Sequence, residues 1–214
     1  MKHFRKMFGL VAVLLLTASL SFAQSDKKAD AVIKQSKAKF DACKDISAAF
    51  TYTLNNPNLK KPIVKTGKVV FKKNKYVITF PDEEMYSNGK YIWLKLVSDE
   101  EITKSDYTDE SISPDKIFSL YEKDMKSRYD GEADGAHKVT LFANDKKNDI
   151  WKTELMINKS TKLVNSAVMH ARNGSTYEYK MSNIKTNTGY PDSMFELDEI
   201  ALEDDGWIVN DLTE

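Results

Sequence analysis

The sequence predicts a mainly β (α+β) domain: a single curved antiparallel sheet attended by two helices. Three observations predict it. Apolar and polar residues alternate at a period of two through many short segments, the mark of strands with one buried face. Turn signals rich in Asn, Gly and Pro separate these segments at close, regular spacing. Only two segments carry the three- and four-residue apolar spacing of a helix. With so little helix, the sheet must cover its own apolar face by curling, and the helices must close what the curl leaves open.

Residues 1–23 come first and read as a secretory signal peptide. Lys2, Arg5 and Lys6 give the positive start, Phe8 to Leu16 the apolar stretch, and Ser21-Phe22-Ala23 the small-x-small cleavage site. The apolar stretch is short for a bilayer span, which needs roughly 20 residues. Residues 24–214 are expected to form one domain, exported and without a lipid anchor, since Gln24 and not a cysteine stands directly after the cleavage site.

Lys27 to Cys43 reads as the first helix, with Val32, Ile33, Ser36, Phe40 and Cys43 on one side. Ile46 to Leu54 then alternates at two, and Asn55 to Asn58 breaks it. Strands follow from Gly67 to Phe71 and from Tyr76 to Phe80, with a bend at Asn74 and a stop at Pro81. Ser87-Asn88-Gly89 signals a hairpin turn into Tyr91–Val97, a strand apolar on both faces that needs cover on each. Glu101 to Tyr107 makes a further short strand. Ser113 to Met125 reads as the second helix: Ser113 caps it, Pro114 fits its first position, and Ile117, Leu120, Tyr121 and Met125 form its stripe. Asp130 to Gly135 is expected to be a turn or loop. Strands are then expected over His137–Ala143, Ile150–Ile157, Lys162–Ala171, Ser175–Ile184 and Met194–Leu197. Trp207-Ile208-Val209 fits either an edge strand or a docking tail.

Composition narrows the function. The leader takes three of the 32 Lys/Arg residues and none of the 32 Asp/Glu, so the mature chain is slightly acidic. Nucleic-acid binding needs a basic face to displace counterions, and this balance argues against it. Cys43 is the sole cysteine, so stability must come from a packed core instead of a disulfide.

Catalytic or metal-binding constellations are hard to find. His137 and His170 have no second histidine or cysteine at helical spacing, Cys43 lacks a nearby histidine, and neither a calcium loop nor a phosphate-cradling glycine loop occurs. The acidic groups Asp82-Glu83-Glu84, Asp99-Glu100-Glu101 and Glu203-Asp204-Asp205 are expected at solvated turns. Lys72, Lys73 and Lys75 form a basic knot at a hairpin bend, suited to edge protection or to an anionic contact. No catalytic residue, metal or cofactor is predicted.

Apolar strand positions remain. Phe50, Tyr52, Val69, Phe71, Tyr76, Ile78 and Phe80 fall on inward-looking positions, as do Ile92, Leu94, Leu96, Leu141, Leu155, Ile157 and Val168. A curled sheet either fills such positions with its own side chains or keeps a hollow for a ligand. The adaptable methionines Met85, Met125, Met156, Met169, Met181 and Met194 would suit varied acyl chains or fill gaps.

The order of these segments resembles the periplasmic outer-membrane lipoprotein carrier family (LolA-type). The helix leading into Ile46-Ser47-Ala48-Ala49-Phe50 is similar to that family's helix-to-strand passage. Gly67-Lys68-Val69-Val70-Phe71-Lys72-Lys73 resembles its Gly-x-apolar-x-aromatic-basic strand. Pro81 and then Ser87-Asn88-Gly89-Lys90-Tyr91-Ile92-Trp93 resemble its Pro…Ser-Asp-Gly-Lys-x-apolar-Trp hairpin, and Phe195 with Leu197 its closing strand. The resemblance implies an unclosed β-barrel with a helical lid over an apolar cavity. It implies no enzyme but a periplasmic carrier, a monomer that takes acylated lipoproteins from an inner-membrane transporter to an outer-membrane acceptor. The cavity would be lined by the inward residues named above, with Ile117, Leu120 and Tyr121 shifting on loading. Lys73 stands where the family typically carries an arginine followed by proline and used in lid holding and transfer; lysine keeps the charge without the planar fork of donors. A lipid- or lipoprotein-sensing regulator on the same scaffold is the alternative.

Overall fold

Twelve strands join in one sheet in the order β12-β6-β5-β4-β3-β2-β1-β11-β10-β9-β8-β7, leaving β12 and β7 as separate edges, so the sheet is not closed. The computed structural model describes residues 26–108 and 125–214; the predicted leader and Ile117, Leu120 and Tyr121 lie outside them. The strands are β1 (Ile46–Asn55), β2 (Ile63–Lys72), β3 (Lys75–Thr79), β4 (Glu83–Ser87), β5 (Tyr91–Leu96) and β6 (Glu101–Asp106). After the undescribed segment come β7 (Met125–Ala133), β8 (Ala136–Ala143), β9 (Ile150–Asn158), β10 (Val164–Ala171), β11 (Thr176–Thr186) and β12 (Ile208–Asp211). Each half of the chain folds as a meander. The antiparallel pairing of β1 with both β2 and β11 sews the halves together.

Helix α1 (Lys27–Ala42) forms where the sequence placed it, for identifiable reasons. Asp26 accepts from the backbone N–H groups of Lys28 and Ala29, and Asp30 and Lys39 complement the two ends of the dipole. Ala29, Val32, Ile33 and Ser36, at helical spacing, are its buried stripe. They pack on Val139, Leu141, Leu155, Ile157 and Ala167 of β8 to β10. The Asp26 carboxylate also accepts from Tyr129 N–H at 3.1 Å, pinning the helix start to β7.

Register sorts the side chains onto two faces, since cross-strand partners point to the same side. Phe50 pairs with Met181, Tyr52 with Tyr179, Tyr179 with Ala167, Ala167 with Leu155, and Leu155 with Val139. In the other direction Ala48 pairs with Val69, Val69 with Ile78, Ile78 with Met85, and Met85 with Leu94. These residues and α1 therefore share one face. Tyr107, just past β6, packs on the cluster of β1 to β3. Three strand spacings, about 14 Å, separate β6 from β3 in a flat sheet. The sheet therefore curls toward this side, the inner face.

The chain's last part covers the outer face. A 3-10 turn (Asp192–Phe195) drives Phe195, 0% exposed, against Val70 and Val77. Helix α2 (Glu199–Asp204) follows, and its Glu199 accepts from the Trp93 indole N–H at 3.0 Å. Strand β12 then runs parallel to β6. Lys104 holds this arrangement through Glu199 at 3.0 Å and Asp211 at 3.2 Å. The cover expected for Tyr91–Val97 on its Trp93 side is thus the C-terminal segment, and residues 208–211 take the edge-strand option.

Several expectations need correction. Met125 to Ala133 is strand β7, so Met125 ends no helix and Asp130 lies within a strand; the turn is confined to Asp134 and Gly135. A bulge between Tyr129 and Gly131 interrupts the alternation there. Residues 194–197 form no strand, because Phe195 enters the outer core from a 3-10 turn. Glu83 and Glu84 open β4, Glu101 opens β6, and Glu203 and Asp204 lie in α2, so these acids are not simply turn residues. Strand β2 begins at Ile63, before Gly67. Ala167, not Val168, faces inward, since Val168 pairs with Glu154 on the opposite side.

Candidate functional site: the apolar inner face

The thirteen described candidates for a cavity lining all fall on the inner face, in two groups. Leu141, Leu155 and Ile157 are buried beneath α1, filled over by Val32 and Ile33. The other group lies beyond α1, on β1 to β5. Phe50, Val69, Phe71 and Tyr76 are its buried base, against which half-buried Tyr52, Ile78, Phe80 and Met85 pack. Ile92, Leu94 and Leu96 continue the strip across β5 and are also half-buried.

Gly67 explains how the base fits. A Cβ there would run into the backbone carbonyl oxygen of Thr79 and meet Phe80 at 3.0 Å and Phe50 at 3.1 Å. Its missing side chain lets the two rings meet edge to face, with centroids 5.1 Å apart. Tyr76 donates to the Met85 sulfur at 3.6 Å, and burial pushes its hydroxyl pKa up to about 12. The base is thus apolar and uncharged at any physiological pH.

The hairpin motif that leads into β5 has a local cause. Asn88 Oδ1 accepts from the N–H groups of Lys90 and Tyr91, both at 2.9 Å, and Ser87 Oγ accepts from Gly89 N–H. Asparagine supplies the same acceptor oxygen that an aspartate would. The turn sets the register that places Ile92 and Leu94 opposite Ser87 and Met85.

Lys73 sits exposed at the β2–β3 bend with φ +56°. Its neighbours do something else: Lys72 and Lys75 clasp Asp192 at 2.6 and 3.0 Å, and Lys72 donates to the Tyr190 carbonyl. The two lysines hold the Asp192 carboxyl below the usual range. The basic knot is therefore largely an intramolecular clasp on the C-terminal segment.

The histidines each meet a carboxylate on the sheet. His170 Nε2 lies 2.7 Å from Glu154, and His137 Nδ1 lies 3.0 Å from the Tyr129 hydroxyl and 3.5 Å from Glu132. Burial lowers the His137 pKa. Cys43 is half-buried at the end of α1, its thiol directed to the Lys39 carbonyl.

Sequence reasoning did not assign Tyr107, Tyr179 and Met181 to this face. Tyr179 and Met181 were detectable in principle, because Ser175–Ile184 alternates and pairing with β1 puts them opposite Tyr52 and Phe50. That pairing joins residues far apart in the chain, which periodicity alone does not reveal.

A family model described as outer membrane lipoprotein carrier protein LolA matches residues 41–198. No curated protein sequence matches the chain. Among solved structures, the chain is similar to an uncharacterized conserved protein from Thermus thermophilus. Identity is 12% and the TM-score 0.57, over 88% of this chain and 100% of that one. It is also similar to a LolA superfamily protein from Nitrosomonas europaea, at 11% identity and TM-score 0.43, over 79% and 98% of the two chains. Lipoprotein LppX from Mycobacterium tuberculosis gives 16% and 0.47, over 78% and 99%.

Proposed function

The chain belongs to the outer membrane lipoprotein carrier protein LolA family, and on that premise we propose that it is a non-enzymatic carrier of acylated lipoproteins. The acyl chains lie on the inner face over Phe50, Tyr52, Ile78, Phe80, Ile92, Leu94 and Leu96. The observation that carries this reading is the half-buried strip beyond α1. It is apolar, and among the described residues it is built from strand side chains together with Phe80 and Tyr107, each just past a strand end. The leader sequence sends the protein out of the cytoplasm, and the carrier works in the periplasm. It receives cargo from an inner-membrane transporter and yields it to an outer-membrane acceptor.

Energetics favour such a surface. Each buried CH₂ of an acyl chain gains roughly 0.8 kcal/mol over water, so a long chain cannot cross an aqueous space unshielded at low cost. Part of the gain is offset by apolar area the empty protein already hides, so half-buried residues suit reversible loading. The test is mass spectrometry of the exported protein purified without detergent, joined to titration with the hydrocarbon fluorophore diphenylhexatriene. Co-purifying acylated peptides and saturable fluorophore binding are expected. An empty protein that also ignores the fluorophore would refute the carrier reading.

A further inference from the structure

Where the α1-covered half of the inner face meets the half on β1 to β5, the lining changes character. Tyr52 of β1 stands directly opposite Tyr179 of β11, with ring centroids 5.2 Å apart, and Tyr177 stands opposite Leu54 two pairs further on, on the same face. All three are half-buried. Among the described residues none of the three hydroxyls makes a hydrogen bond to the protein. Half-buried hydroxyls without partners are ready donors for a ligand. Tyr76 contrasts with them, since its hydroxyl is spent on Met85.

The trio borders the apolar base directly. Phe50 is two residues from Tyr52 on the same strand face, and Phe80 packs on Phe50. A molecule lying on Phe50 and Phe80 therefore brings its next atoms to the tyrosines. The cation beside them is Lys65, opposite Tyr52 on β2, and Glu83 at 3.0 Å and Asp82 at 3.9 Å already engage it. Neutral donors with a neutralised lysine suit a neutral acceptor better than an anion.

We propose that Tyr52, Tyr177 and Tyr179 form a polar subsite that donates hydrogen bonds to the ester carbonyls joining acyl chains to their head group. This rests on the acyl-binding reading above and adds where the polar junction of the lipid sits. The ester can belong to the diacylglyceryl group of a lipoprotein or to a free glycerolipid, and the chemistry recognised is the same. Burial raises the hydroxyl pKa of Tyr52, and that of Tyr179 to about 12, which keeps both protonated as donors.

The test uses Tyr52→Phe, Tyr177→Phe, Tyr179→Phe and the triple variant, changes that remove a hydroxyl and keep the ring. Three probes are titrated: a synthetic dipalmitoyl-glyceryl-cysteine peptide, dipalmitoylglycerol, and diphenylhexatriene, which has no ester. Each single variant is expected to weaken binding of the ester probes about fivefold, for a lost hydrogen bond of ordinary strength, and to leave diphenylhexatriene unchanged. Equal losses for peptide and dipalmitoylglycerol identify the ester alone as the recognised group; a loss confined to the peptide assigns the subsite to lipoprotein. Unchanged ester binding in the triple variant, with diphenylhexatriene still bound, overturns the subsite and leaves the carrier reading standing. Wild-type protein that binds none of the three overturns both.

Discussion

Phe195→Ala should cost the protein much of its stability and leave its inner face intact. Phe195 is 0% exposed and packs on the cross-strand pair Val70 and Val77, with Tyr86, Tyr190 and Met194 around it. Truncating a buried Phe typically costs about 3–5 kcal/mol, the spread depending on how far the surroundings collapse. Collapse is restrained here. Ahead of Phe195, Lys72 and Lys75 hold Asp192, and Tyr190 donates to Ser47 Oγ at 3.2 Å; behind it, Lys104 holds Glu199. The loss should therefore fall in the upper part of that range. For a domain of this size each kcal/mol moves Tm by roughly 2–4 °C, so a drop of about 10 °C or more is expected. Guanidinium unfolding followed by tryptophan fluorescence measures it, and diphenylhexatriene titration well below the new Tm shows whether the inner face has changed. A cost under about 1 kcal/mol would show that Phe195 is not a wedge in the outer core. A large fall in fluorophore binding by the folded variant would show that the two faces are not independent.

Gly67→Ala should destabilise by about 1–3 kcal/mol, because its methyl collides with the Thr79 carbonyl in the β2–β3 ladder, and chemical denaturation measures it. Two substitutions on the inner face should separate its halves. Leu94→Asp is expected to cut fluorophore binding at least tenfold with a smaller effect on Tm. Ile33→Ala, beneath α1, should cost about 2–4 kcal/mol and spare binding. Asp211 adds a pH signature. Hydrogen bonds from the Thr213 hydroxyl and N–H, then Lys104, lower its pKa from 3.8 to about 2. A folded-state pKa below the unfolded one stabilises fully above 3.8, and the benefit disappears as pH falls through about 2. Asp211→Asn should therefore be less stable than wild type at pH 6 and equal to it near pH 2 in urea denaturation.

Strands with a strong apolar alternation were legible, and the rest failed for local reasons. Ile46–Leu54 and Tyr76–Phe80 each set three or more large apolar residues on one face, so the period and the buried face were plain. Strand β7 offers only Met125 and Tyr129 on its inner side, at a sheet edge, with a bulge at Asp130. Its polar, Gly-containing sequence therefore looks like a loop. Strand β4 starts with two glutamates, which pair with lysines: Glu83 with Lys65 on the inner side and Glu84 with Lys95 on the outer. Phe195 and Leu197 misled in the other direction, since two apolar residues at a spacing of two cannot establish a period. The inward set on β1 to β5 could be listed residue by residue. Its separation from Leu141, Leu155 and Ile157 could not, because nothing in one strand's alternation says where a helix from elsewhere will lie.

The covered outer face also explains how an inner strip that is only half-buried can be tolerated. A sheet normally needs at least one filled face to stay folded. Here β2 to β6 obtain it from the C-terminal segment, where Val70, Val77, Trp93, Ile102 and Phe195 are buried. The opposite half obtains it from α1 on the inner side. The two covers lie on opposite faces and on different strands, and the buried base of Phe50, Val69, Phe71 and Tyr76 adds to them, so the half-buried strip above that base does not hold the sheet together alone. Residues of that strip, such as Ile92, Leu94 and Leu96, can remain half-exposed, and a ligand can come and go over them without the strands losing their support. The α1 cluster and the Phe195 cluster are thus what make a reversible acyl site compatible with a stable wall.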